Sequence, residues 1–217
     1  MSACCSPDQV NHGTGAFFSR WSNRYAKRFR KGGLERAQKY LLEGIRHEPI
    51  QGSTVLDIGC GVGQLHLTLL REGAARSVGV DLSEDMLREA QHFAEEFGLR
   101  ERARYVTGDF AQISSSIPES DITVLDKVVC CYEDLTNLLH TSTGKTKHIY
   151  ALTHPKENLL MEGVFKGQAL WARLFRWSFR PFWHDWSEMK SLILSQGFQL
   201  LYENSTIAWQ VLVFRRT

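Results

Sequence analysis

Residues 54–64, TVLDIGCGVGQ, constrain the fold more than any other stretch of this chain. Thr54, Val55, Leu56 and Ile58 are aliphatic or β-branched and follow the Gly52-Ser53 punctuation, so they predict a short buried strand. Gly59, Gly61 and Gly63 then permit a tight turn with positive φ, and residues 64–72 carry helix formers with Leu65, Leu69 and Leu70 on one side. A strand, a glycine loop and a helix start in succession aim bare backbone N–H groups at the space above a sheet edge, which suits a nucleotide or a carboxylate. Glycine spacing alone also occurs in ordinary turns. Here the same edge is furnished twice more. The run Ser77-Val78-Gly79-Val80 reads as a second strand ending in Asp81, about 20 residues after the glycine loop, where a ribose-binding carboxylate belongs. A third run, Tyr105-Val106-Thr107-Gly108, ends in Asp109.

DIGCGVG (57–63), VGVDLSEDML (78–87), TGDF (107–110) and DITVLDKV (121–128) resemble, in order and spacing, the successive motifs of class I S-adenosylmethionine-dependent methyltransferases. The likeness covers about residues 34–153. A dinucleotide-binding loop usually reads G-x-G-x-x-G, and the third glycine here falls one residue early, which favours the methyltransferase pattern over a dehydrogenase. The resemblance implies an α/β, Rossmann-like fold: a seven-stranded, mostly parallel sheet with a C-terminal antiparallel hairpin (198–203 and 208–214), helices on both faces and one helical lid insertion. It divides the chain into an N-terminal segment with a cover helix (1–33) and a methyltransferase domain (34–217), the aromatic lid falling at about 158–186. A shorter likeness, Val128-Val129-Cys130, is similar to the magnesium-protoporphyrin methyltransferase-like members.

For S-adenosyl-L-methionine, the resemblance implies that Asp57 takes a hydrogen bond from the methionine amino group through water. Gly59, Cys60 and Gly61 would offer backbone to the methionine and ribose, and Asp81 would accept both ribose hydroxyls. Leu82 and Met86 would pack on the adenine, Asp109 would accept from its amino group, and Phe110 would offer it a backbone N–H. Asp126, at the end of a fourth strand 122–125, would sit near the sulfonium. Each aspartate has an alternative reading as a helix N-cap.

On the acceptor side, Phe17, Trp21, Tyr25 and Phe29 recur every four residues, so residues 15–31 read as one helix with an aromatic stripe, stopped by Gly32 and Gly33. It is either a cover that packs its stripe and leaves solvated cations outside, or, as the resemblance implies, a lid with Trp21 and Tyr25 over the acceptor. Tyr132 would lie at the acceptor mouth. Lys127 either binds an acidic acceptor or sits at the surface. His154, at the end of a fifth strand 148–152, is the first choice for a general base, because imidazole titrates near neutrality. Its alternative is a structural histidine.

Residues 158–186 interleave leucines and aromatics with Lys166, Arg173, Arg176 and Arg180, and hold four of the chain's six tryptophans. They read as an acceptor lid for a large apolar molecule bearing anionic groups, an interfacial helix on a membrane surface, or a dimer contact.

A formal charge of +2 over 217 residues does not suggest a nucleic-acid binder, and there is no N-P-P-Y motif to hold a flipped base. Five cysteines with two adjacent pairs make no disulfide framework and no C-x-x-C metal spacing, so no metal site is expected. With neither a signal sequence nor an apolar run of about 18 residues, the cytoplasm is the expected compartment. The expected activity is methyl transfer from S-adenosyl-L-methionine to a small apolar or acidic molecule, with oxygen favoured. A thiol, metalloid or amine acceptor, and a non-catalytic cofactor-binding scaffold, stay as alternatives, and both a monomer and a homodimer are compatible.

Overall fold

A computed structural model describes residues 7–174, 179 and 181–217. The helices are α1 (Pro7–Ser19), α2 (Ser22–Gly32), α3 (Arg36–Ile45), α4 (Gln64–Arg71), α5 (Glu84–Glu96), α6 (Phe110–Ile113), α7 (Leu135–Gly144), α8 (Leu159–Leu174) and α9 (Trp186–Ser195). The strands are β1 (Thr54–Ile58), β2 (Arg76–Asp81), β3 (Ala103–Thr107), β4 (Ser120–Leu125), β5 (Thr146–Pro155), β6 (Phe198–Ser205) and β7 (Trp209–Arg216).

They form one seven-stranded sheet in the order β3-β2-β1-β4-β5-β7-β6. Strands β1 to β5 pair in parallel, and β7 pairs antiparallel with both β5 and β6. The order reverses between β1 and β4, so the connections leave them in opposite directions and open a crevice beyond their carboxyl ends.

Successive residues of a strand point to opposite faces, and the core divides accordingly. Val55, Val124, Ile149, Ala151 and Val213 meet Leu41, Leu42 and Ile45 of α3, Leu69 of α4 and Phe93 of α5. Leu56, Ile58, Leu125, Tyr150, Leu152 and Phe214 meet Leu138 of α7 and Met189 and Ile193 of α9. Each fully buried Leu or Ile of this kind contributes roughly 1.5–3 kcal/mol. The result is the expected three-layer α/β sandwich, with both faces of the parallel strands covered.

Local expectations shifted in three places. The aromatic stripe of 15–31 lies on two helices, not one: the chain turns at Arg20 and Trp21, with the Trp21 N–H donating to the Phe18 carbonyl at 2.9 Å. The Ser19 and Ser83 hydroxyls bond at 2.8 Å beside this turn. The break lets α1 lie toward the end of β2 while α2 sets Phe29 edge-on to Phe93 of α5 and to Phe97, which caps that helix. Trp21, on the turn, is 39% exposed. Strand β5 is longer than expected, 146–155, because β7 pairs with it as far as Pro155. Finally, the 158–186 segment is part core: Phe165, Ala172 and Trp186 are buried, and Trp186 opens α9 behind the N-cap Asp185. Trp177 and Arg176 lie outside the described residues.

Candidate functional site

The glycine loop sits at the reversal point of the sheet. Gly59, Gly61 and Gly63 all have positive φ. At Gly59 a Cβ would stand 2.5 Å from Val128 Cγ2, so the loop can pack against the β4 exit only without a side chain there. At Gly61 a Cβ would meet nothing within 4 Å, because that backbone faces open space. The space is a cavity of about 450 Å³, within the range of small-molecule and cofactor sites.

One wall collects Asp57, Gly59, Cys60, Gly61, Asp81, Leu82, Met86, Phe110 and Asp126. Asp81 joins two elements there: Oδ2 accepts from Gly61 N at 2.8 Å and Oδ1 from Ser83 N at 2.9 Å. Burial raises its carboxyl to about 6, while the Ser83 and Gly61 N–H groups pull it back and Asp57 adds to the rise. Asp57 is buried, and its Oδ2 bonds His66 Nδ1 at 2.8 Å. His66 is itself fully buried, with Nε2 lying 3.2 Å from the Tyr105 hydroxyl, which also reaches the Ala90 carbonyl at 3.0 Å. The single Tyr105 proton can serve only one of these at a time. Asp57 is thereby held by a bridge running from α4 to β3.

Asp126 also belongs to the β4 exit, which sets the adjoining wall. Thr153 donates to Asp126 Oδ1 at 2.8 Å, and Gln38 Nε2 donates to Asp126 Oδ2 at 2.9 Å. Burial raises the Asp126 carboxyl, with Lys127 and these two donors opposing the rise. Lys127 has φ 60 and donates its N–H to Thr153 Oγ1 at 2.7 Å. A β-carbon in that left-handed region is strained by about 1–2 kcal/mol, and such strain gathers where a side chain must be aimed. The Lys127 Nζ donates to Glu35 Oε2 at 2.5 Å and stands 5.5 Å from the Trp209 ring centre. Burial disfavours this ammonium, but Asp126 and Glu35 outweigh it and hold Lys127 above its ordinary value. Arg28 reaches the other Glu35 oxygen at 2.6 Å, tying α2 to the same wall.

Aromatic side chains complete the lining: Phe17 and Phe18 of α1, Tyr25 of α2, Phe165 of α8, Phe179 and Trp209. Phe17 and Phe179 are stacked, their ring centres 5.0 Å apart.

Of the site residues expected from sequence, eleven stand on this one cavity: the nine of the first wall with Tyr25 and Tyr132. Asp109 and His154 are not among its lining residues. Asp109 caps α6, accepting from Ala111 N at 3.0 Å, and receives the Tyr132 hydroxyl at 2.5 Å. His154 is buried, stacks on Trp186 at 4.9 Å and has Nδ1 2.9 Å from the Pro155 carbonyl. Burial lowers it to about 4, the Pro155 carbonyl opposing, so at neutral pH it is an uncharged core histidine. Trp21 lies off this cavity. The Cys60 thiol is pushed well up by burial and the nearby Asp57 and Asp81. That of Cys130 is pushed well up by its hydrogen bond with Cys131 and by burial. Both are protonated thiols, not thiolate ligands.

Sequence reading missed Glu35, Gln38, His66 and Trp209. Only the Glu35-x-x-Gln38 pair left a local trace: its helix-start spacing is realised by Glu35 N donating to Gln38 Oε1 at 3.0 Å.

Residues 55–155 match a family model described as methyltransferase domain. Sterol 24-C-methyltransferase of Pneumocystis carinii (strain B80) is 34% identical over 73 residues, which is 34% of this chain and 18% of that protein. Ribosomal protein L11 methyltransferase of Klebsiella pneumoniae (strain 342) is 38% identical over 53 residues, 24% of this chain and 18% of that protein. The chain thus spans 18% of the length of each of these two curated relatives. Among solved structures, magnesium protoporphyrin IX methyltransferase from Synechocystis PCC 6803 with bound SAM superposes with a TM-score of 0.73 at 19% identity, covering 100% of both chains. That likeness is one of fold.

Proposed function

We propose, from the premise that residues 55–155 are a methyltransferase domain of the class I S-adenosylmethionine-dependent superfamily, that this protein is a methyltransferase acting on a small, apolar, acidic molecule at oxygen. The observation that carries the reading is the convergence of Asp57, the Gly59–Gly63 loop, Asp81 and Phe110 on one cavity at the reversal point of a parallel sheet.

The residues fit S-adenosyl-L-methionine. Gly61 presents bare backbone to the cavity. Asp81 keeps lone pairs for two ribose hydroxyls beyond those given to Gly61 and Ser83. Leu82, Met86 and Phe110 supply an apolar slot for a flat ring. Asp57, oriented by His66, is suited to an ammonium group. Asp109, displaced from the cavity wall, is the assignment with least geometric support. When bound, the cofactor supplies an activated methyl group on a sulfonium. The protein's share is to hold the acceptor in line and at contact distance, and to exclude water.

Lys127 supports the acidic acceptor. Its ammonium stands on the cavity wall between Glu35 and the Trp209 face, with Tyr25 close by. An acceptor carboxylate or phenolate that displaced Glu35 would find a cation, a hydroxyl and aromatic surface together. Protonated Cys60 and Cys130 disfavour thiolate handling of a metalloid. In this assignment residues 34–217 are the transferase domain, 1–33 its cover, and 158–186 the acceptor-side lid and the candidate for peripheral membrane contact.

The test has two stages. Titration calorimetry with S-adenosylhomocysteine is expected to give micromolar binding, and absence of binding would overturn the reading. Incubation with methyl-labelled cofactor and a metabolite extract should then yield S-adenosylhomocysteine and labelled acidic or ester products. Binding without turnover would identify a scaffold instead.

A further inference from the structure

Helix α8 turns the wrong side to water. At roughly 100° per residue, positions 159, 170, 163, 174, 167, 160, 171 and 164 follow one another around an arc of about 140°. Every one is apolar or glycine. Leu159 is 88% exposed, Leu160 72%, Leu170 69% and Leu174 72%. The inner edge of the same helix is apolar too: Phe165 and Ala172 are buried and Met161 packs on the core. A surface helix normally buries one apolar stripe and gives its remaining face to polar residues. Here Glu162 and Lys166, paired at 2.5 Å, occupy only the narrow border between two apolar faces.

We infer that this outward face of α8 docks on an anionic lipid bilayer, and that the acceptor enters the cavity from the lipid side. Charge supports a bilayer over other occupants. Between residues 20 and 33 the chain carries Arg20, Arg24, Lys27, Arg28, Arg30 and Lys31 and no acid, and all six cations are exposed. Among the described residues, Arg28 and Arg30 pair with Glu35 and Glu96. This basic α2, through Tyr25, and the apolar α8, through Phe165 and Gln168, line the same cavity, and Phe17 of α1 stacks on Phe179 beyond the end of α8. An apolar helix face beside a basic one is the pattern of a helix that lies in a membrane interface. The helix is about 24 Å long, and no helix among the described residues is long and apolar enough to cross a membrane, so α8 lies on the surface. The docking rests on the exposed faces alone; the entry of the acceptor from lipid rests on the methyltransferase reading.

Co-sedimentation of the full chain with vesicles of phosphatidylcholine, and with vesicles of phosphatidylcholine and phosphatidylglycerol, tests the inference. Binding is expected to the anionic vesicles and to weaken at least tenfold at high salt. Leu160→Glu with Leu170→Glu and Leu174→Glu, and separately Lys27→Glu with Lys31→Glu, should each weaken it at least tenfold. Circular dichroism and S-adenosylhomocysteine affinity should stay unchanged. Failure to bind anionic vesicles, or binding that ignores the three glutamates, overturns the docking. So does a dimer, seen by sedimentation velocity, that the leucine variant abolishes. Vesicle binding without cofactor binding would instead sink the methyltransferase reading and leave the docking intact.

Discussion

Replacing Asp81 by Asn tests the cofactor wall at its most exposed assumption, that an ionised carboxylate there is what the ribose meets. The wild-type carboxyl titrates at about 6, raised chiefly by burial. Only its ionised form can offer every oxygen lone pair as an acceptor. One unit below that value about a tenth of the groups are ionised, so affinity for S-adenosylhomocysteine should fall about tenfold at pH 5 relative to its plateau above pH 7. Asp81→Asn keeps one carbonyl acceptor and cannot satisfy Gly61 N, Ser83 N and two hydroxyls. Affinity on the plateau should drop by about 1–3 kcal/mol, with the pH slope gone. Stability gives an independent reading whose sign follows from the raised value. Between about pH 4 and 6 the folded state holds the proton more tightly than the unfolded chain does, so this group's contribution to stability falls as pH rises through that window. The whole effect is on the order of 2–3 kcal/mol. Calorimetric titrations and denaturant melts over about pH 4 to 8 check both arms. A wild-type affinity that is flat with pH, or an Asn variant that keeps the wild-type slope, would refute the reasoning.

Substitutions at four further positions separate positioning from packing. His66→Leu leaves the buried Asp57 carboxylate without its imidazole, and a loss of about 3 kcal/mol is expected in urea unfolding; unchanged stability would mean that the pair is idle. Gly59→Ala should fail to fold or lose several kcal/mol, since its Cβ meets Val128 at 2.5 Å. Gly61→Ala should fold at a cost of about 1–2 kcal/mol and lose cofactor affinity, because its methyl enters the cavity; comparable melts for the two variants would contradict this. At position 127, Lys127→Gly should be more stable than Lys127→Ala by about 1 kcal/mol, since both lose the ammonium but only alanine keeps the strain of φ 60. Equal melting points would remove the argument from strain.

The chain announces its sheet because the relevant forces are local. A buried strand needs consecutive apolar residues, a tight exit needs glycine, and a helix start needs a cap. The 54–64 run, Ser83 before α5 and Asp185 before α9 therefore declare their elements within a few residues of sequence. The spacing of Asp57, Asp81 and Asp109 likewise reveals which acids end strands. It does not reveal which way a carboxylate turns: Asp109 turns to Tyr132 and its own helix, while Asp81 faces the cavity. His66 and His154 were indistinguishable as letters, and burial decided between them, setting one against Asp57 and the other against Trp186. The Glu35 to Lys127 pair joins groups 92 residues apart, and the turn at Trp21 lets α1 pack beside the start of α5 and α2 beside its end. Even α8, whose composition was legible, needed the fold to show which of its two apolar faces the core leaves exposed. Periodicity and turn chemistry act between neighbours along the chain and can be read from it. The partner of a buried charge or a helix face is chosen by packing, which exists only once the layers have closed.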